Sequence, residues 1–306
     1  MFAVVLGAAA GGGFPQWNSN AEGCRRARSG DPAAPARTQA SLAVSADGNS
    51  WFLLNASPDL RRQIELAPML HPREGLRSSP IAGVVLTGGD VDAIAGLLTL
   101  RERQALTVYA TSRVLAVLDA NPIFEVLARD VVARQAVTLE QETRLSLPDG
   151  TPGGLSIEAF AVPGKVPLYL ETAGAAPPIV EGEETVGLKV SDGRHSLFFI
   201  PGCAAVTDAL ARRLDGADLV FFDGTLFTDD EMIRSGTGRK TGRRMGHISN
   251  TGADGALAAF APLKIGRKIF IHINNTNPIL LADAPERRIV EAAGWEVAFD
   301  GMRVTL

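Results

Sequence analysis

Carboxylates and histidines stand at the ends of apolar runs in this chain, where a sheet can present them to one another. The run "IAGVVLTGGDVD" ends in Asp90 and Asp92. "LVFFDGT" holds Asp223, "KIFIHINNTNP" carries His272 followed by Asn274 and Asn275, and "RRMGHISN" supplies His247. Ligand-bearing residues belong on loops held by a rigid sheet. Asp90 and Asp92 are two apart, so an extended turn points them the same way. Two histidines with carboxylates suit a mononuclear iron(II) or manganese site that leaves positions open for oxygen and substrate. Catalytic zinc is usually held by a set richer in histidine.

Each residue also has a plainer reading. An Asp after a strand is often a helix N-cap, and Asp92 before an apolar helical pattern fits that role. His272 alternates with Ile271 and Ile273 and fits a hydrogen-bonded core histidine. The shared site rests on the four clusters taken together. The glycine-rich segment "RSGTGRKTGRRMGHIS" crowds Arg234, Arg239, Lys240, Arg243 and Arg244 just before His247. It reads either as a solvated loop or as a lid that clamps a polyanion, because Arg pairs bidentately with carboxylate or phosphate. The glycines of "GAAAGGGF" do not match a dinucleotide fingerprint. His71, in a polar loop, and His195, on a hairpin strand, receive no role. Cys203 reads as a buried structural thiol, with a thiolate at a helix start as the alternative.

The elements that must position these residues are legible from pattern. Helical spacing covers residues 57–66, 93–103, 113–128, 204–214, 252–261 and 284–293. Strand-like runs cover 2–6, 81–86, 107–110, 155–162, 219–222, 268–273 and 296–299. Asp47-Gly48 and Asp192-Gly193 each sit between strand-like runs and signal hairpins. Two strand-rich halves containing helices predict one α/β domain over residues 1–306, an αβ/βα sandwich of two facing mixed sheets with helices outside. A doubly wound Rossmann sheet is the alternative, and the hairpins count against it.

The bulk numbers restrict the function class. The chain has 306 residues and a formal net charge of −4, so bulk nucleic-acid binding is not expected. Two cysteines, Cys24 and Cys203, form no disulfide framework and suit a cytoplasmic protein. "MFAVVLGAAAGGG" lacks the basic start of a signal peptide and reads as a first strand with a tight glycine loop. No apolar run approaches the roughly 18 residues of a membrane span.

The segments "GAAAGGGFPQWN", "NASPDLRRQI", "SSPIAGVVLTGGDVD", "FFDGTLFTDDEM", "MGHIS", "HINNTNPIL" and "WEVAFDGM" together resemble the coenzyme PQQ biosynthesis protein B family of the metallo-β-lactamase superfamily. The resemblance covers nearly the whole length. It implies the αβ/βα sandwich and a role in making pyrroloquinoline quinone from a glutamate–tyrosine pair. Two activities are implied: an iron-dependent hydroxylase acting on the tyrosine ring of that small tricarboxylic intermediate, or a carrier of the quinone or its precursor to the periplasm. Work with other proteins of the same biosynthesis and a homodimer are also implied.

Against the superfamily turn H-x-H-x-D-H, Asp90 stands at the second histidine and Asp92 at the aspartate, while Gly88 and Ala93 replace the outer histidines. Ala93 departs from many family members too. The next histidine is missing near Gly164 and Lys165, and "FFIPGCA" has no bridging aspartate. The resemblance therefore implies one metal, iron(II) first, held by Asp92, His247 and His272 with Asp90 and Asp223 near. Arg239, Lys240, Arg243, Arg244, Asn274 and Asn275 become the substrate-binding set. Where relatives place zinc-binding cysteines, this chain has Ser19, Ala21 and Cys24, so structural zinc is expected to be absent.

Overall fold

The computed structural model describes residues 1–170 and 179–306. Its strands are β1 (Phe2–Gly7), β2 (Ser41–Ser45), β3 (Trp51–Leu54), β4 (Ile81–Val85), β5 (Leu106–Ala110), β6 (Val132–Ala136) and β7 (Glu142–Ser146). They continue with β8 (Pro152–Ala161), β9 (Val186–Ser191), β10 (Ser196–Ile200), β11 (Leu219–Asp223), β12 (Arg267–Ile271), β13 (Trp295–Val297) and β14 (Arg303–Thr305). Among the described residues they form two seven-stranded sheets, ordered β14-β1-β2-β3-β4-β5-β6 and β13-β12-β11-β10-β9-β8-β7.

Both sheets are built alike. An antiparallel hairpin opens a parallel run: β2 and β3 around Asp47-Gly48, then β4 to β6; β9 and β10 around Asp192-Gly193, then β11 to β13. The sheets are mixed, as the Asp-Gly turns predict, and the Rossmann alternative falls.

Strand pleating explains the uninterrupted apolar runs. Successive residues face opposite sides, and here both sides are covered. Phe199, Leu219, Phe221, Ile269 and Ile271 join Val5, Leu42, Phe52 and Leu54 in one core between the sheets. Phe198, Val220, Phe222 and Phe270 face outward onto Leu210, Phe260 and Val290. On the other sheet Leu53, Val84 and Val108 pack against Leu60, Val114 and Leu118.

Several expected boundaries shift. The helix expected over 113–128 stops at Ala120 ahead of Asn121-Pro122, since proline disfavours helix at the preceding residue. The edge strands β6 ("VARQA") and β7 ("ETRLS") escape the apolar pattern because most of their side chains meet solvent. The helix expected over 93–103 is only Val91–Ile94, followed by 3-10 turns over Ala95–Leu100. Its cause is a clip to the end of β3: Ala56 N donates to Ala93 O at 2.7 Å, and Gly96 N donates to Ala56 O at 2.9 Å. No helix among the described residues is long and apolar enough to cross a membrane.

The clip holds the turn that bears Asp90 and Asp92, and only glycine fits it. A Cβ on Gly96 would lie 2.1 Å from Ser57 O and 2.7 Å from Ala56 O. Gly96→Ala should destabilise by about 1–3 kcal/mol or more through overpacking. Thermal denaturation should then show a loss of several degrees, at about 2–4 °C per kcal/mol. An unchanged melting temperature would show that the clip is dispensable.

Candidate metal centre

The carboxylates and histidines converge at the C-terminal ends of the parallel strands, where open α/β sheets place ligands. Asp223 ends β11 and its side chain is 0% exposed. A buried carboxylate is costly unless hydrogen-bonded. Its Oδ1 accepts from Thr225 N at 3.0 Å and Thr225 Oγ1 at 2.6 Å. Its Oδ2 accepts from Cys203 N at 2.9 Å and lies 2.7 Å from His247 Nδ1. This geometry places a proton on His247 Nδ1. His247 lines the cavity, and its Nε2 has no hydrogen bond among the described residues.

His272 follows β12 in the left-handed region, at φ +58°. Histidine visits it more readily than most residues, at some cost in strain. Neighbouring bonds hold it there: Ile273 N donates to Ala8 O at 3.0 Å, and Ala10 N to Ile273 O at 2.8 Å. The glycine loop after β1 is thus docked beside this histidine. His272 Nδ1 lies 3.0 Å from Thr225 Oγ1, and Nε2 lies 2.8 Å from Asp92 Oδ2. Thr225 has one hydroxyl proton. Donating it to Asp223 leaves the oxygen to accept from His272 Nδ1–H, and His272 Nε2 then faces a carboxylate oxygen. Such a pair needs a cation, either a proton or a metal ion.

Asp223, His247 and His272 each offer one ligand atom, all within 4.8 Å of one another. The imidazole rings stack, with centroids 5.2 Å apart. Asp90 and Asp92 line the adjoining cavity of about 150 Å³ with Gly88, Ala93, Lys165, His247 and His272. Nitrogen and carboxylate donors, each histidine oriented through its Nδ1, fit a divalent transition metal.

Other expected roles shift. Asp90, not Asp92, is the residue before the Val91–Ile94 helix, and its side chain makes no capping bond. Asn274 and Asn275 do not line the cavity and instead brace the turn. Asn274 Nδ2 donates to Thr276 Oγ1 at 2.6 Å and Asn275 Nδ2 to Gln16 Oε1 at 2.6 Å. Arg239 and Lys240 do not line the cavity either. Arg243 and Arg244 border a neighbouring hollow of about 440 Å³ that shares His247 with it. Residues 242–245 of the basic segment form a short helix rather than an open loop.

Cys203 precedes its helix by several residues, so no helix start activates it. Burial pushes its thiol pKa up, in keeping with a structural role. Cys24 is buried, with Sγ 3.6 Å from Asn275 Oδ1. His71 and His195 lie outside the cavity lining. Thr225 and Lys165 also stand at the site, Thr225 through its hydroxyl between Asp223 and His272 and Lys165 on the cavity wall. The "DGT" spacing of Asp223 and Thr225 was the available signal, since a hydroxyl two residues on can bond back to the carboxylate.

A family model described as the beta-lactamase superfamily domain matches residues 50–273. The chain is 65% identical to the coenzyme PQQ synthesis protein B of Gluconacetobacter diazotrophicus, covering 99% of this chain and 98% of the relative. It is 55% identical to the protein of that name from Methylorubrum populi over 306 residues, 100% of both. The crystal structure of Zn(2+)-bound PqqB from Methylobacterium extorquens superposes with a TM-score of 0.95 at 53% identity, covering 100% of both chains. A diphosphatase of the PhnP family, at 19% identity and a TM-score of 0.68, shares the fold.

Burial opposes charge on both partners of the Asp92–His272 pair, but their hydrogen bond and mutual charge outweigh it. Asp92 lies below its ordinary 3.8 and His272 above its ordinary 6.5. His272's stabilising share is complete below its unfolded pKa and is lost as pH rises through the raised folded value. Asp92's share is present above its unfolded pKa and is lost as pH falls through the lowered folded value. For metal-free protein, the melting-temperature gap between wild type and Asp92→Asn should be widest near about pH 5 and shrink toward alkaline pH. A gap that stays constant with pH would show that the pair is not ionic.

Proposed function

Because the chain belongs to the coenzyme PQQ synthesis protein B family of the β-lactamase superfamily, we propose that it acts in pyrroloquinoline quinone synthesis as an iron-dependent hydroxylase. Its substrate is the tyrosine ring of a glutamate–tyrosine-derived tricarboxylic intermediate. The observation that carries this reading is the mixed donor set at the strand ends, with Gly88 and Ala93 in place of two hydrolase histidines. His247 Nε2, His272 Nε2 and Asp92 Oδ2 would hold one metal, with Asp90 at the cavity wall. Asp223 and Thr225 hold the two imidazoles by their Nδ1 atoms. When bound, iron(II) supplies a redox-active Lewis acid with positions open to dioxygen and substrate. An external reductant carries the second oxygen atom to water. By the same resemblance the protein works as a cytoplasmic homodimer.

A second reading rests on Gly88 and Ala93, which line the cavity without offering a side-chain ligand atom. On that reading the protein carries the quinone or its precursor and needs no metal.

Anaerobic loading with iron(II), followed by isotopically labelled dioxygen, reductant and substrate, should give a product heavier by labelled oxygen. A product without label sinks the hydroxylase. Tight binding of the quinone by metal-free, inactive protein would favour the carrier.

His272→Asn keeps a residue that tolerates the left-handed backbone. It should weaken iron binding by about tenfold or more while leaving the melting temperature close to wild type at alkaline pH, where the ionic share of the pair with Asp92 is lost. A destabilised variant with full metal occupancy would make His272 a structural residue.

A further inference from the structure

Two carboxylates, Asp90 and Asp92, line the cavity beside the Asp–His cluster and would repel an acidic ligand. Among the described lining residues Lys165 is the one lysine or arginine. Its place is fixed by its neighbours. Gly164 pairs with Val180 through two backbone hydrogen bonds, 3.0 and 2.9 Å, and Thr185 Oγ1 donates to Lys165 O at 3.1 Å. Its aliphatic stem crosses Gly246, where an added Cβ would come within 3.2 Å of Lys165 Cγ. Gly246, at φ +89°, ends the Gly242–Met245 helix just before His247. One glycine therefore both turns the chain toward His247 and leaves a track for Lys165.

The next two residues lead elsewhere. Val166 and Pro167 line a mainly apolar hollow of about 360 Å³ with Val114, Val117 and Tyr169. Gly89 lines that hollow, while Gly88 and Asp90 on either side line the cavity. Glu184 and Thr185 divide in the same way. The two spaces run side by side along three stretches of chain, with Lys165 at their seam.

We propose that Lys165 grips a carboxylate of a small aromatic polycarboxylic acid, and that the apolar body of that ligand lies in the neighbouring hollow. The inference rests on the proposed reading only in taking such an acid as the ligand. A lysine ammonium is a compact charge on a flexible stem, suited to follow one carboxylate. The hollow supplies the apolar surface that a flat ring buries.

The test titrates the full-length protein, as purified, with pyrroloquinoline quinone, an aromatic tricarboxylic acid, by calorimetry at low and high salt. Lys165→Met should weaken binding by about tenfold or more and flatten its salt dependence. Lys165→Arg should restore most of both, with circular dichroism unchanged throughout. Equal affinity in wild type and Lys165→Met, or no binding by wild type, overturns the proposal. Charge-dependent binding without oxygen incorporation would remove the hydroxylase and keep this site. Labelled product formed by Lys165→Met with wild-type KM would do the reverse.

Discussion

The enclosed carboxylate of Asp223 is the constraint on which the rest of the site depends. An uncompensated buried charge would cost several kcal/mol. Here its partners come from three segments: Cys203 N after β10, Thr225 after β11, and His247 from the loop before the Ala256–Phe260 helix. Satisfying one charge therefore fixes three loops relative to one another. Thr225 carries the constraint to β12, because its hydroxyl also reaches His272. Asp92, which follows β4 in the opposite sheet, closes the chain of contacts. The two sheets meet in the apolar core, but their functional ends are registered by polar contacts.

The same logic explains the strained backbone at His272. The left-handed turn points the ring at Thr225 and Asp92 together. Asn277 braces the turn behind it, its Nδ2 donating to Gly224 O at 2.8 Å and to Asn250 Oδ1 at 2.9 Å. Glu231 ties the next segment in, accepting from Phe227 N and Thr276 Oγ1. Burial raises its carboxyl pKa to about 7 against those hydrogen bonds. The Asn-rich stretch is thus scaffolding for the turn that bears His272, and among the described residues the side chains with ionisable groups that line the cavity are Asp90, Asp92, Lys165, His247 and His272.

Much of this was determined by the sequence alone, because it depends on neighbours in the chain. Apolar runs buried on both faces mark the central strands, Asp-Gly pairs mark the hairpins, and polar residues at the ends of those runs mark the edge where chemistry gathers. Asp92, Asp223, His247 and His272 are legible for that reason. Only the tertiary structure decided their division of labour. Asp92 and His272 are 180 residues apart, and no local pattern records which carboxylate an imidazole will meet. Asp223 is enclosed and orients His247, while Asp92 reaches the cavity; both read alike as an Asp after a strand. Lys165 gained its place from packing across Gly246, and Asn274 and Asn275 lost theirs to bracing the turn. Side-chain direction at a loop depends on what the far elements leave open, and that is settled only when the two sheets close on each other.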